Sequence, residues 1–547
     1  MQEQRTHGDA IGLAELMAAL SVATDLAMGQ PLEYALHACV VAMRLADALG
    51  MGGGELAEVY YQALLRYIGC NAETSMLAAI VGDELALRAD YVAIDSANPA
   101  EVIGTIVRFI RQANAGATAL QMAQAVVSGV LASARTVDDF LGGHCEVARR
   151  LGERMGFGER ITRGLGQLYA RWDGKGTPSI KGHEVMPAVL VVTLAQDVVT
   201  FHRLGGLEAA VKVARERRGA AYAPWMADCF CARAAQLLAG LDDLGWADVL
   251  ALDPEPRAQL SGAQLDAACL AIADFADIKS PYTLGHSSGV AQLAAEAARY
   301  GRLTAPDVAT IYRAGLLHDI GRVGVSAGVW GKPGPLSDRE REKVRLHTYY
   351  TERVLARPAG LARLGALAAL HHERLDGSGY HRGLPATLLS PSARLLAAAD
   401  VYHALCEPRP HRPAFAPEAA AAELRREVRA GRLDGDAGRR AEHVCAIGIG
   451  LGLEQLPARH RHDSGGDSVL RQQIGRRHCD LDLGARRQQR DLTLAGSAQE
   501  IGALATEIVG RRICAQRRKI LARQDENGGR RPRMERELPA LRGLDRI

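Results

Sequence analysis

Between residues 10 and 440, apolar positions recur at three- and four-residue spacing and strand-like alternation is rare, so the chain reads as a succession of helices. One helical face joins Val290, Leu293, Ala294 and Ala297 to His286. A second apolar run, Ile311–Leu317, ends at His318 and Asp319, with Gly321 as the expected helix stop. Gly and Pro clusters at Met51–Gly54 and Gly331–Pro335 punctuate the pattern. From Ala441 onward the periodicity weakens. That stretch is rich in Arg and Gln, and no Phe, Trp or Tyr occurs after Phe415. Ile501–Ile513 could form one amphipathic helix, but no compact domain is expected there. The expected fold is all-α.

The chain also repeats itself. RWDGKG at Arg171–Gly176 matches RLDGSG at Arg374–Gly379, and without a gap His144 falls on His347 and Asp197 on Asp400. Upstream, LLRYIG (Leu64–Gly69) resembles LLHDIG (Leu316–Gly321), and His37 sits where His286 does. The stretch between Gly69 and His144 is longer than its counterpart, so an insertion is expected there. Beside the matched hexapeptide, four further landmarks in one order predict two similar helical domains in tandem.

Composition narrows the function classes. A chain of 547 residues exceeds a single core. Its 48% hydrophobic and 24% charged residues are ordinary for a soluble globular protein, and a net charge of +3 draws it neither to nucleic acid nor to membrane. The start, MQEQRTHGDA, lacks the basic and apolar regions of a signal peptide, and no apolar run reaches the length of about eighteen residues that spans a bilayer. A cytoplasmic protein without a membrane partner is expected. The ten cysteines contain no CxxC pair, which fits reduced thiols better than a disulfide framework or structural zinc.

The chemistry concentrates in His286, the pair His318–Asp319, His347, the pair His371–His372, and Asp400. Imidazole nitrogen and carboxylate oxygen suit iron, manganese or zinc, and one carboxylate can bridge two ions. GLLHDIGRVGV, HTYYTERVL, HHERLDGSGYHRGL and ARLLAAADVYHALCEPRPHRPA, in this order, resemble the HD-GYP subgroup of the HD-domain metal-dependent phosphohydrolases, whose members cleave cyclic di-GMP. The resemblance implies an intact domain over residues 265–440 and a degenerate copy over 1–250, and composition predicts an Arg-rich, poorly structured tail over 441–547.

What the resemblance implies about the site is specific. His286, His318, Asp319 and Asp400 hold one divalent transition-metal ion, iron or manganese. Asp319 bridges to a second held by His347, His371 and His372, and a water between the ions is the nucleophile. Arg409 and Arg412 match phosphate-binding positions, Tyr380 lies in the substrate-facing signature loop, and Arg322 stands where the family has lysine beside the catalytic Asp319. Three departures accompany the match. The Gly-Tyr-Pro signature reads Gly379, Tyr380, His381, which predicts a looser loop. His403 replaces an aspartate and is not counted as a ligand. Tyr282 replaces an acid associated with a third metal, so two ions are expected.

In the first repeat Arg66 and Tyr67 occupy the His-Asp positions and Leu168 and Tyr169 the His-His positions, which leaves His37, His144 and Asp197 without a bridging carboxylate. This half is expected to be a structural, dimerising or sensing module. The expected activity is hydrolysis of cyclic di-GMP to linear dinucleotide or GMP. The alternatives are an HD phosphohydrolase for another nucleotide, or a nucleotide-sensing regulator once coupled to a DNA-binding helix-turn-helix, with the tail an out-of-frame remnant of that output. A nucleic-acid partner is left open by this reading, and a homodimer is one assembly it allows.

Overall fold

A computed structural model describes the chain from Ala10 to Gly450, apart from the side chains of residues 131–139 and 447–450. These residues are almost entirely helical. Among them the only strands are Ile11–Gly12 and Gln259–Leu260, which pair antiparallel with Ile11 opposite Leu260 and tie the start of the first repeat to the segment that leads into the second. The all-α expectation is met.

Local signals set the helices that carry the site. Gly285, at φ 81°, turns the chain into the helix His286–Tyr300, whose Val290, Leu293, Ala294 and Ala297 are buried. Thr304 caps Ala305–Leu317 by accepting from the Asp307 amide at 3.3 Å. Ser337 and Glu340 close a reciprocal capping box at the head of Asp338–Leu355. Ser390 caps Pro391–Leu405, with Pro391 in the first turn, where its missing N–H costs nothing.

The repeat is visible in the packing. A β-carbon on Gly69 would lie 2.0 Å from the His144 carbonyl oxygen, and one on Gly321 would lie 2.0 Å from that of His347. Gly321 is therefore needed for close approach rather than as the helix stop expected of it; the chain passes through Asp319 into a 3-10 turn, Ile320–Gly324. Asp25 accepts from the Ala35 amide as Asp277 does from that of Ser287. Thr177 N donates to Tyr169 O as Tyr380 N does to His372 O. The expected insertion is filled by four helices, Thr74–Val81, Glu84–Tyr91, Pro99–Ala113 and the long Ala119–Arg154, the last of which delivers His144.

Two expectations change at the edges. The helix Gly435–Gly450 runs through Ala441, which is fully buried, and Tyr300 stacks on its His443 at 4.2 Å. The packed part of the chain thus extends beyond residue 440, because Ala437, Ala441 and Val444 keep helical spacing amid polar neighbours. Residues 451–547, where the rest of the expected tail falls, lie outside the described residues. Pro187–Glu216 is long and apolar enough by composition to cross a membrane, but its apolar stretch is mostly buried in this fold and it breaks at Gly205 and Gly206. The described cysteines are free thiols.

Candidate metal centre

Five helices bring the seven expected ligands together. His286 opens its helix, and His318 and Asp319 follow the end of Ala305–Leu317. His347 lies in the middle of Asp338–Leu355, His371 and His372 follow Ala359–Ala368, and Asp400 is central in Pro391–Leu405. All except His372 are buried.

Asp319 divides the set. Its Oδ2 lies 3.5 Å from His318 Nε2 and 3.8 Å from His286 Nε2, and its Oδ1 lies 3.5 Å from the Nε2 atoms of both His347 and His371. Asp400 Oδ1 closes the first side at 3.3 Å from His286 Nε2, and its Oδ2 stands 3.8 Å from His372 Nδ1. Within this cluster His286, His318 and Asp400 converge as one group, and His347, His371 and His372 as another.

Backbone carbonyls orient the rings. His318, His347 and His371 each donate from Nδ1 to the carbonyl three residues earlier, Gly315, Val344 and Ala368, at 2.7, 2.5 and 2.7 Å. This leaves every Nε2 as an inward-facing lone pair. Burial pulls His318 and His347 down to about 4 and about 3, so both rings are neutral at pH 7. His347 Nε2 and His371 Nε2 face each other at 3.1 Å. Burial alone would raise the Asp319 carboxyl, but Arg322 and the imidazoles overcome it and hold Asp319 well below the usual range. Two atoms aimed into the centre, His318 Nε2 and Asp319 Oδ1, are buried without a hydrogen-bond partner. Unpaired buried donors and acceptors are costly. Converging imidazole lone pairs around an ionised carboxylate are the donor set a divalent transition metal requires, so the residues fit the group.

Glu407, to which sequence reasoning assigned no role, completes the His286 side. Its Oε2 accepts from His286 Nδ1 at 2.8 Å and from Arg409 Nη2 at 2.9 Å, and its Oε1 lies 3.4 Å from His403 Nδ1. Burial works against a proton on His286, but Asp400 and Glu407 outweigh it and raise this histidine to about 10. A carboxylate behind a ligand histidine fixes its ring and raises its basicity. Glu407→Ala is expected to weaken divalent-metal affinity about tenfold to a hundredfold, measured by competition with a chromogenic chelator. Unaltered affinity would show that His286 needs no such support.

A cleft of about 700 Å³ opens onto the centre, lined by His286, Asp319, His347, His372 and Asp400 and flanked by Arg322, Trp330, Tyr380 and Arg409. Arg322 donates to Asp319 Oδ2 at 2.9 Å and lies over the Trp330 ring at 3.9 Å. Tyr380 stacks on His372 with ring centroids 4.8 Å apart. Arg412 differs from the expectation: its guanidinium donates to the backbone carbonyls of Ala404, Leu405, Glu407 and Pro413, so those donors shape the loop that carries Glu407 and Arg409. The signature loop is not loose either. His381 meets Thr348 Oγ1 through Nδ1 and Glu352 through Nε2, each at 3.1 Å, and buried Glu373 accepts from the Arg382 and Leu384 amides at 2.8 Å. Polar anchors thus hold the loop without proline's fixed φ.

The corresponding positions of the first repeat are occupied differently. Arg66 donates to Gln196, Asp197 pairs with Arg217 at 2.7 Å, and His144 pairs with Glu73 at 2.9 Å. Among the described residues, every converging group of three or more metal-binding side chains lies between His286 and Glu407. His144→Ala in the full chain is therefore expected to leave bound metal unchanged by elemental analysis; loss of an equivalent would place an ion in the first repeat.

Residues 271–437 match the family model described as HD domain. A 3′3′-cGAMP-specific phosphodiesterase of Vibrio cholerae is 28% identical over 410 residues, covering 74% of this chain and 88% of that protein. A cyclic di-GMP phosphodiesterase of Pseudomonas aeruginosa is 40% identical over 132 residues, 24% of this chain and 32% of that protein. The fold is that of a crystal structure of a cyclic GMP-AMP-specific phosphodiesterase from V. cholerae, with a TM-score of 0.54 and 24% identity over 82% of this chain and 99% of that one. With the ordered His and Asp motifs gathered at one centre, residues 271–437 form an HD domain, and these likenesses support the HD-domain phosphodiesterases as the chain's family.

Proposed function

We propose that this hydrolase opens a 3′–5′ phosphodiester bond of a cyclic dinucleotide, and that it takes 3′3′-cGAMP before cyclic di-GMP. The observation that carries the reaction is Asp319, whose two oxygens face two separate histidine sets at the floor of a cleft flanked by arginines. A cleft of about 700 Å³ is in the range of small-molecule sites. The substrate preference is supported by the likeness to a cGAMP-specific enzyme, which runs through the first repeat as well as the second.

In this reading His286, His318, Asp319 and Asp400 hold one divalent ion, and Asp319, His347, His371 and His372 hold the other. Bound there, divalent ions supply Lewis-acid charge to phosphoryl oxygens and acidify water at neutral pH. The chain's own groups bind and orient the ester. Arg409 and Arg322 offer guanidinium forks to the phosphate, and the Trp330 and Tyr380 rings offer faces to the bases. Water oxygen joins phosphorus, one P–O bond to ribose breaks, and the proton passes to the departing ribose oxygen. Arg412 acts through the loop it pins and not on the phosphate.

The test is a comparison of kcat/KM for both cyclic dinucleotides on the metal-replete full chain, followed by chromatography of the products. A higher value for 3′3′-cGAMP is expected. Equal or reversed values remove the preference, and no opening of either ring removes the reading.

A further inference from the structure

We infer that Glu84, a residue of the inserted segment in the degenerate repeat, is a positioning residue for the turn that carries Arg322 in the intact repeat. The inference rests on the reading above for its catalytic consequence alone; the contact itself is independent of substrate. The turn Ile320–Gly324 follows Asp319 directly and leads through Ser326 into the short helix Ala327–Trp330. Trp330 is joined to that turn twice: its indole Nε1 donates to Arg322 O at 3.3 Å, and its ring underlies the Arg322 guanidinium. Whatever fixes residues 323–327 therefore fixes Arg322 and Trp330 over the cleft.

Glu84 does the fixing from the other repeat. Its Oε2 accepts from Ser326 Oγ at 2.6 Å and its Oε1 from the Ala327 amide at 2.9 Å. Lys279 Nζ lies 3.3 Å from Oε1 and donates to Val323 O at 2.7 Å. The Glu84 side chain is 0% exposed and that of Lys279 2%. Burial alone would raise the Glu84 carboxyl, but Lys279, Ser326 and Ala327 hold it below its ordinary range. Glu84 is itself anchored to the degenerate core: one turn along its helix, Arg88 donates to the carbonyls of Ala27 and Cys70 and to Thr74 Oγ1. Backbones approach closely here, because a β-carbon on Gly328 would lie 2.8 Å from Gly82 O. An apolar pair could fill this volume with no loss of stability. It would supply no hydrogen bond to Ser326, Ala327 or Val323. The insertion that distinguishes the first repeat from the second thus supplies a carboxylate to the segment just after the turn, while the helix Leu13–Ala27 packs against the turn itself.

The experiment compares the full-length wild type with Glu84→Gln/Lys279→Met, which removes both buried charges together, and with Ser326→Ala, which leaves the ion pair in place. Melting temperature, bound metal, amide hydrogen exchange, and kcat and KM on 3′3′-cGAMP, cyclic di-GMP and bis(p-nitrophenyl) phosphate are measured. In the double variant, exchange is expected to rise across residues 320–330 and not elsewhere. Bound metal should be retained, kcat should fall about tenfold, and KM should move little. Ser326→Ala should show the same pattern to a smaller degree, and it carries the test if the double variant does not fold. Folded variants whose exchange over 320–330 and kcat both match the wild type overturn the inference. Wild-type protein inert on all three esters overturns the proposed function instead, and the exchange data then decide the role of Glu84.

Discussion

Asp319→Ala is expected to remove bound metal and turnover together, with kcat/KM falling on the order of a thousandfold or more. Asp319 lies within 3.8 Å of four of the histidines, two in each set. Its Oδ1 faces His347 and His371, and its Oδ2 faces His286 and His318. Without it, the imidazoles on both sides would lose the carboxylate at their centre that would offset a bound cation's charge, and Arg322 would lose its 2.9 Å partner. Asp319→Asn separates charge from shape, because it keeps the volume and removes the anion; it is expected to lose metal nearly as completely. The checks are elemental analysis and hydrolysis on the same sample. Metal and turnover both near wild type would place the centre elsewhere.

Arg409→Ala is expected to lower kcat/KM about tenfold to a hundredfold. This corresponds to roughly 1.5–3 kcal/mol for a charge-assisted bond to phosphate. Arg409 is held from behind, by Tyr282 O at 2.5 Å and Glu407 Oε2 at 2.9 Å, so its guanidinium is positioned before substrate arrives. Bound metal is expected to stay near the wild-type level, because Glu407 keeps its bond to His286. Arg409→Lys is expected not to restore the rate, since a lysine ammonium cannot grip two oxygens in one plane. An Arg409→Ala variant that hydrolyses both cyclic dinucleotides at the wild-type rate would contradict the phosphate assignment.

The residues that converge on the centre were readable from sequence because most stand in short local motifs whose neighbours are also distinctive: LLHDIG, HHERLDGSGY, AADVY. The repeat was readable for the same reason, and the packing reproduces it down to paired close approaches at Gly69 and Gly321. What escaped depends on distance or on ordinary-looking residues. Glu407 is a common acid in a loop, and its only local signal is its place four residues after His403 and two before Arg409. Arg412 reads as a phosphate ligand by position; it lines the cleft, and its Nη1 and Nη2 atoms donate to carbonyls of its own loop. The His381 substitution suggested a loose loop because sequence shows the lost proline but not the Thr348 and Glu352 side chains that receive the histidine. Glu84 meets Ser326 across 242 positions of chain, and no local pattern announces such a pair.

The degenerate repeat has filled its former ligand positions with internal ion pairs, Arg217–Asp197 and His144–Glu73, which need no metal to satisfy them. In the intact repeat the counterparts of Asp197 and His144 are Asp400 and His347, which converge with other His and Asp side chains on one centre. Among the described residues, only the second half gathers groups of three or more side chains able to hold a metal ion.

The central claim is that the His286–Asp400 cluster is a metal centre that opens cyclic dinucleotides. Its most direct test is to strip the full chain with a chelator and add back manganese or ferrous iron stepwise, measuring ring opening of 3′3′-cGAMP and cyclic di-GMP at each step. Turnover that is absent in the stripped protein and rises with bound metal to a plateau near two ions per chain is the predicted result; turnover by the metal-stripped protein at the rate of the reloaded one would contradict it.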